Sequence, residues 1–539
     1  METYVLRAGK LVPRTRLRAL DWTTTVAAVA LITALAAVLR LWAFDRVPGN
    51  PFYDAAVRSM SLSWHNFFFG AMEPAGQVSV DKAPADLWLQ VAAVKLFGFS
   101  GVVVRLPEVL AAIAAIPLLY DLVRRLSGRT AGLGAALTLA VLPAAILTAH
   151  SDTMDSLMML LDVGAAWLVV VGAQRRQLWP VVAAGAVVGL AFNVKLFEAF
   201  FVVPALLVLI FLAARRRALA LGGFAAALAA VGLSWITIAS LTPISHRPWP
   251  YGSTDGSIWS VVFGFNGIDR IHGTASAAAL KLDPPGVFRF LTAGGHQYLG
   301  TVGTALVAAI VLPLVALARG WRPRGLALAG AAFFGVWLVT GVAVLSHMQR
   351  MEPRYLETVT PAIAAAVGIG AAKLSRRTAV SAGVLAAALA IPAAFAVHVA
   401  HQHRSDAGLA SRLTPPQLAS LSGFLEAHSS GTRYELASSA VFRAAPLIVR
   451  DDRPVLMLAA QPGLQLTSPQ RLSALVANGS VRYALLSDRP IPSAQWALRH
   501  GRDVSRAAGL PLHTLYRLTA TARPPATVRS AHPAGRPRA

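Results

Sequence analysis

The sequence predicts an α-helical polytopic membrane protein of about eleven transmembrane helices, followed by a small C-terminal α/β domain. Three observations predict it. Of 539 residues, 55% are hydrophobic and only 14% charged, more apolar material than one water-soluble core carries. Apolar runs long enough to cross a bilayer recur from residue 22 to residue 398. The basic residues fall in short clusters in every second connection between those runs, the pattern that sets membrane topology.

The expected spans are 22–44, 102–123, 131–148, 157–171, 179–193, 197–214, 218–241, 298–317, 326–345, 358–372 and 379–398. The first follows Arg7, Lys10, Arg14, Arg16 and Arg18, and it is longer than the apolar region of a signal peptide, so it reads as an uncleaved span. Arg124, Arg125 and Arg129, then Arg175 and Arg176, Arg215 to Arg217, Arg319, Arg322 and Arg324, and Lys373, Arg376 and Arg377 all fall on the same side as the N-terminus. By the positive-inside rule that side is cytoplasmic, and eleven crossings leave the C-terminal domain outside. A formal charge of +24 would raise the question of nucleic acid on a soluble chain, but topology accounts for it here, and no nucleic acid is expected. Cysteine is absent, which excludes disulfides, thiolate metal sites and cysteine nucleophiles.

Residues 1–402 therefore form a transmembrane domain with two long outer connections, 45–100 and 242–297. Within the first, Ala85–Phe97 is apolar but too short to cross, and it reads as a helix lying at the lipid headgroups. From 403 to 518 the composition is that of a soluble α/β domain. Ala445 to Val449, Pro454 to Leu458 and Val481 to Leu486 read as strands, Pro415 to Ala427 and Pro469 to Ala477 as helices. Residues 519–539, rich in Pro, Arg, Ala and Thr, read as a disordered basic tail. No internal repeat is visible, which counts against transporters built from duplicated halves.

Charges near hydrocarbon are costly and are kept for function or pairing, so the outer membrane edge is the informative region. The first loop carries Tyr53-Asp54, Trp64-His65-Asn66 and Asp81-Lys82. The third span ends on His150-Ser151-Asp152-Thr153-Met154-Asp155. Asn193, Lys195 and Glu198 lie between spans five and six, and His347, Arg350, Glu352, Arg354, Tyr355 and Glu357 between spans nine and ten. Plainer readings stand beside each. Asp81-Lys82 also reads as a solvated loop pair, Asp152 as the cap of the fourth span, and Lys195, Arg350 and Arg354 as cations snorkelling to water. Asp162, in the middle of span four, is expected to pair within the bundle. A lipid-borne phosphosugar would need cations at headgroup depth and a carboxylate to take the acceptor's proton, and both residue types stand at one level here.

At these residues the chain resembles the bacterial branch of the glycosyltransferase C-type superfamily, near the protein O-mannosyltransferases and the lipid A aminoarabinose transferases. The resemblance rests on Tyr53-Asp54-Ala55-Ala56-Val57-Arg58, Ser63 to Phe69, Val80-Asp81-Lys82-Ala83-Pro84, Val104-Arg105-Leu106-Pro107, Asp152 to Asp155, Gly264-Phe265-Asn266-Gly267 and Arg354-Tyr355, in that order. It implies an inverting transfer of mannose or a similar sugar from a polyprenyl-phosphate donor to a cell-envelope acceptor at the outer face of the cell membrane. Membrane lipid and that donor are the implied partners.

The resemblance also implies residues. Catalytic candidates are Asp54, Asp81, Asp152 and Asp155; candidates for the donor phosphate are Lys82, Lys195, Arg350 and Arg354; Tyr53, His65, His150, Glu198, Asn266 and Tyr355 are candidates for substrate contact. Many relatives place an Asp-Glu pair three to four residues before the loop-one tyrosine, where this chain has Gly49-Asn50. The base is then Asp54 or Asp81, shared between them here, unless the activity has diverged. No cofactor is indicated, and a divalent metal is left open because no ligand spacing marks one. Two rivals remain: a transporter or flippase of a lipid-linked substrate, and a scaffold that has lost catalysis.

Overall fold

The computed structural model describes residues 4–7, 10–273, 284–292, 299–349, 351–375, 377–406, 413–461, 463–487 and 491–520. The expected disordered tail lies almost wholly outside them. The chain divides into two compact units, Met1–Ala410 and Ser411–Ala539. Residues 403–406 thus fold with the helical unit.

Among the described residues nine helical stretches are long and apolar enough to cross a membrane, ten if Arg129–Val141 and Pro143–Ala149, bent by 58°, form one broken span. Pro143 causes the break, since it lacks an N–H and keeps Leu142 in extended backbone. The carbonyls freed there do not stay unpaired. The guanidinium of Arg40, buried at the end of the first span, donates to Leu139 and Ala140 at 3.0 and 2.9 Å.

One stretch, Trp179–Ala213, counts 35 residues. Straight, it would run about 52 Å, well beyond a hydrocarbon core of about 30 Å. It breaks at Leu196, whose φ of 55° and ψ of −129° are not helical. Ala214, Arg215 and Arg216 then line the same hollow as Arg176, Gln177 and Leu178, so the chain has returned to the end it left. Counting this reversal and the broken span gives the eleven expected crossings.

The basic clusters gather at one end of this unit. Arg129 reaches Thr24 Oγ1 at 3.2 Å, Arg125 reaches Gln174 Oε1 at 2.7 Å, and Lys373 Nζ donates to the Ser127 carbonyl at 2.8 Å. Small residues let the helices close up. A Cβ on Gly368 would stand 2.3 Å from the Ala135 nitrogen, and one on Gly134 2.9 Å from the Gly368 Cα, so Arg129–Val141 and Thr360–Leu374 meet backbone to backbone. Gly368→Val is accordingly expected to destabilise the unit by about 1–3 kcal/mol. Thermal unfolding in detergent checks this, with Gly335→Val, where an added Cβ meets nothing within 4 Å, expected to be silent.

At the opposite end the first long connection forms helices Pro51–Met60, Trp64–Phe69 and Ala85–Phe97. Local chemistry sets each start. Pro51 follows Asn50, whose side chain accepts from Phe52 N at 3.1 Å, and Ser63 Oγ accepts from Asn66 N at 3.1 Å. Ala85–Phe97 forms where the expected interfacial helix stands, with Leu89, Leu96 and Phe97 exposed. The two long connections are tied together: Val78–Ser79 pairs in parallel with Trp249–Pro250. Past that pairing the second connection winds into a π-helical turn, Ser260–Ile268, and a short helix, Asp269–His272.

The C-terminal unit is a five-stranded sheet in the order Gly501–Asp503, Leu515–Leu518, Tyr483–Leu485, Ala437–Ser438, Leu456–Met457. Helices Pro415–His428, Val441–Asp451, Pro469–Ala477 and Pro492–His500 complete the α/β unit. The first begins with a capping box between Thr414 and Gln417. One expected strand is wrong. Ala445 to Val449 lies inside the helix Val441–Asp451, because Val441, Ala444, Ala445 and Ile448 recur at helical spacing and bury one face.

Glu435 is 1% exposed in this unit, and burial first, then Asp451, push its carboxyl up to about 8 against the pull of Arg453 at 3.7 Å. The folded state therefore binds a proton that the unfolded state releases near pH 4.5, so stability is full below that pH and falls as pH rises towards 8. The protection factors of the amides in Pro415–His428, taken after correction for base-catalysed intrinsic exchange, are expected to fall between pH 6 and 8.5 in the full chain, and Glu435→Gln to remove that fall.

Candidate active site

Two neighbouring groups of polar side chains form at the end of the helical unit opposite the basic clusters. They meet through consecutive residues of Pro51–Met60. The first is built on Asp81 and Lys82, in the turn between Val78–Ser79 and Ala85–Phe97. Tyr53 donates its hydroxyl to Asp81 Oδ1 at 3.1 Å. Lys82 Nζ and Arg270 Nη2 stand 3.9 and 3.8 Å from Asp81 Oδ2. Asn266, presented by the π-helical turn, joins the three: its amide donates to the Asp81 carbonyl at 2.5 Å, and its Oδ1 accepts from Lys82 at 3.0 Å and Arg270 at 3.4 Å. Arg270 also lies 5.0 Å over the Phe265 ring. Glu198 and Tyr355 share the electrostatic neighbourhood of Arg270 and Arg354.

Burial alone would raise the Asp81 carboxyl, but Lys82, Arg270, Tyr53 and Arg354 outweigh it and hold the group below its usual range. Burial likewise lowers the Lys82 ammonium, opposed by Asp81 and Glu198. Asp81 is thus an ionised brace among cations.

The second group is a carboxyl pair. Asp54 and Asp152 lie within hydrogen-bonding reach of one another, a placement that favours one proton between them, and Asp152 Oδ2 accepts from Asn50 N at 3.2 Å. Burial and then the Asp152 charge push Asp54 well above the usual carboxylate range, with Arg105 opposing. Asp152 is raised by burial as well. Gly49 faces this pair: a Cβ there would stand 2.5 Å from Asp54 Oδ2 and 3.3 Å from an Arg105 nitrogen. Asp54 therefore fills the space beside Gly49-Asn50, where the resemblance to the superfamily leads to the expectation of an acidic pair. Asp152 does not cap the fourth span, whose N-cap is Met154 in left-handed backbone at φ 71°.

The other candidates sort as follows. Lys195 is fully buried, ion-paired with Asp155, and donates to the Thr153 carbonyl at 2.7 Å, while Asp155 also accepts from Thr153 Oγ1 at 2.7 Å. This pair is a floor beneath the site, and the Lys195 charge is already matched. Arg354 pairs with Asp406 at 3.3 Å and Glu352 at 3.8 Å and lies 5.5 Å over Tyr355. Arg350 lies outside the described residues. His65 is braced on the second connection, Nε2 to the His246 carbonyl at 3.1 Å, apart from the Asp81 group. Burial lowers His150 to about 4, so it is neutral, and its Nδ1 stands 2.8 Å from the Arg404 carbonyl, a contact that holds the chain at 404. Asp162 is buried with no ion-pair partner among the described residues, which corrects its expected pairing.

Several site residues escaped the sequence. Arg270 follows Asn266 by four residues, so the motif holding Asn266 carried a signal for it. Asp406 lay beyond the expected end of the membrane domain. Asp86 and Glu108 form another buried carboxyl pair, Asp86 accepting from Gln90 at 2.5 Å and Glu108 from Ser156 N at 2.8 Å; nothing in their sequence context set them apart from ordinary helix residues. Among the described residues no group of three or more His, Asp or Glu side chains is arranged to hold a metal ion.

Comparison with known proteins agrees with this architecture. Residues 81–239 match the family model described as dolichyl-phosphate-mannose-protein mannosyltransferase, and residues 421–499 match one described as "Putative mannosyltransferase YkcB-like, C-terminal". Two curated relatives from Bacillus subtilis (strain 168), named "Putative mannosyltransferase YkcB" and "Putative mannosyltransferase YycA", are each 35% identical, over 252 and 262 residues. These stretches cover 46% and 47% of this chain but only 35% and 38% of the relatives, little more than a third of their length. Among solved structures, ArnT from Cupriavidus metallidurans bound to undecaprenyl phosphate superposes with a TM-score of 0.60 at 16% identity, over 94% of this chain and 99% of that one. The Archaeoglobus fulgidus oligosaccharyltransferase AglB, in complex with an inhibitory peptide and a dolichol-phosphate, gives 0.61 at 13% identity, over 86% and 69%. Spans, outer loops and matched segments together make this chain a multi-pass membrane protein with the glycosyltransferase C-type fold, similar to the dolichyl-phosphate-mannose-protein mannosyltransferases.

Proposed function

We propose that the chain is an inverting glycosyltransferase that moves mannose or a similar sugar from a polyprenyl-phosphate carrier to a cell-envelope acceptor at the outer face of the membrane. The observation that carries this reading is the adjacency of a buried carboxyl pair, Asp54 with Asp152, to the cation group of Lys82 and Arg270, joined by the successive residues Tyr53 and Asp54. An acceptor hydroxyl attacks the anomeric carbon from the face opposite the phosphate. The carbon–oxygen bond to phosphate breaks and its electron pair leaves with polyprenyl phosphate. Lys82 and Arg270, with Arg354 beyond them, offset the leaving charge, and the hydroxyl proton passes to the Asp54–Asp152 pair, whose raised affinity suits a base.

The carrier lipid is supported by the phosphate lipids bound to the structural neighbours, ArnT and AglB. Placement of the site outside the cytoplasm is supported by the basic clusters gathered at the other end of the helical unit, and that of the C-terminal unit by the odd number of crossings that precede it. Purified protein given radiolabelled polyprenyl-phosphate hexoses and pentoses with a cell-envelope extract is expected to release polyprenyl phosphate only when the acceptor is present. Carrier movement across vesicles without release would instead identify a flippase, and neither activity with any donor would leave the scaffold reading standing.

A further inference from the structure

The C-terminal unit holds a second basic feature that membrane topology does not explain. Residues 411–520 contain twelve arginines against six carboxylates. Three of the arginines, Arg502, Arg506 and Arg517, surround a hollow of about 340 Å³. Arg502 and Arg517 are direct cross-strand partners in the antiparallel pairing of Gly501–Asp503 with Leu515–Leu518, and both are exposed on the same face. Like charges placed directly opposite on a sheet destabilise it. Arg506 adds a third from the turn Ser505–Ala508.

None of the three guanidinium groups has an ion-pair or hydrogen-bond partner among the described residues. The one carboxylate in the lining, Asp503, is already engaged. Its Oδ1 accepts from Ser505 N at 2.9 Å and Ser505 Oγ at 2.5 Å, and its Oδ2 accepts from His513 N at 2.8 Å, with the His513 ring 3.3 Å away. Asp503 braces the loop, and the three positive charges stay unmatched.

We propose that this hollow is a binding site for a phosphate-ester anion. Three guanidinium forks converging on one cavity suit a phosphate monoester, a group with several equivalent oxygens and close to a double charge, to which arginine bonds in bidentate fashion. Such a group has two sources, a soluble phosphate monoester and the headgroup of phosphatidic acid, and the site chemistry is the same for both.

The test uses the full chain in nanodiscs of phosphatidylcholine, with radiolabelled glycerol 1-phosphate in equilibrium dialysis. Saturable binding is expected. It should weaken at least about tenfold in Arg502→Gln/Arg517→Gln and in Arg506→Gln, which leaves the strands untouched, while Arg499→Gln on the neighbouring helix has no effect. Repeating the titration in discs containing phosphatidic acid assigns the source: competition by that lipid marks a headgroup site, and unchanged binding marks a soluble ester. The cations of the membrane unit also attract phosphate, so Lys82→Gln/Arg270→Gln is run alongside. Binding that this variant abolishes and the arginine variants leave intact overturns the proposal, as does no saturable binding in either disc.

Discussion

Asp54→Asn is expected to lower turnover by about 10²- to 10⁴-fold, the range lost when a positioned general base is removed, with donor affinity nearly unchanged. Asparagine keeps the shape of the side chain beside Gly49 and can still bond to Asp152, so folding is preserved and the loss reports proton transfer. The pH profile gives a second readout. Because burial and Asp152 raise the Asp54 group well above its usual range, and a base works only when it can accept a proton, activity should climb with pH along a limb above about 3.9. Asp152→Asn removes the neighbouring charge that raises Asp54, so the limb should move to lower pH while turnover falls. A limb that stays in place, or full turnover in Asp54→Asn, would hand the base role to Asp81.

The second large effect is expected from the cations. Lys82→Met and Arg270→Met each remove a charge beside the proposed phosphate, and each should cost about 10²- to 10³-fold in kcat, the scale of losing one preorganised electrostatic contact in a buried site. Each also strips a cation from Asp81, which burial then drives towards protonation. The two changes should be far from additive, since Asn266 holds both side chains. Lys195→Met should behave differently. It leaves Asp155 buried without its partner, so loss of folded protein rather than a kinetic change is the expected result, and detergent stability separates the two outcomes.

Much of the membrane unit is legible in the primary structure because each crossing is a one-dimensional fact: a bilayer imposes a length of apolar residues and a side for positive charge. Within the outer loops, the starts at Asn50-Pro51 and Ser63 are equally local, since a cap needs only residues a few positions away. The misread strand at Ala445 to Val449 shows where this ends. A short apolar run fits a strand and a helix alike, and only its partners decide.

The sequence alone therefore determined a many-span membrane protein with its polar residues concentrated at one rim, because hydrophobic length and charge asymmetry act on each segment separately. Only the tertiary structure decided which of those polar residues work together. Asp54 meets Asp152, Lys195 meets Asp155, and Arg270 joins Asp81 and Lys82, across separations of about 40 to 190 residues. The physical reason is that charge matching inside a low-dielectric site depends on distances in space, and no spacing along the chain encodes which carboxylate will find a cation and which will be left to share a proton.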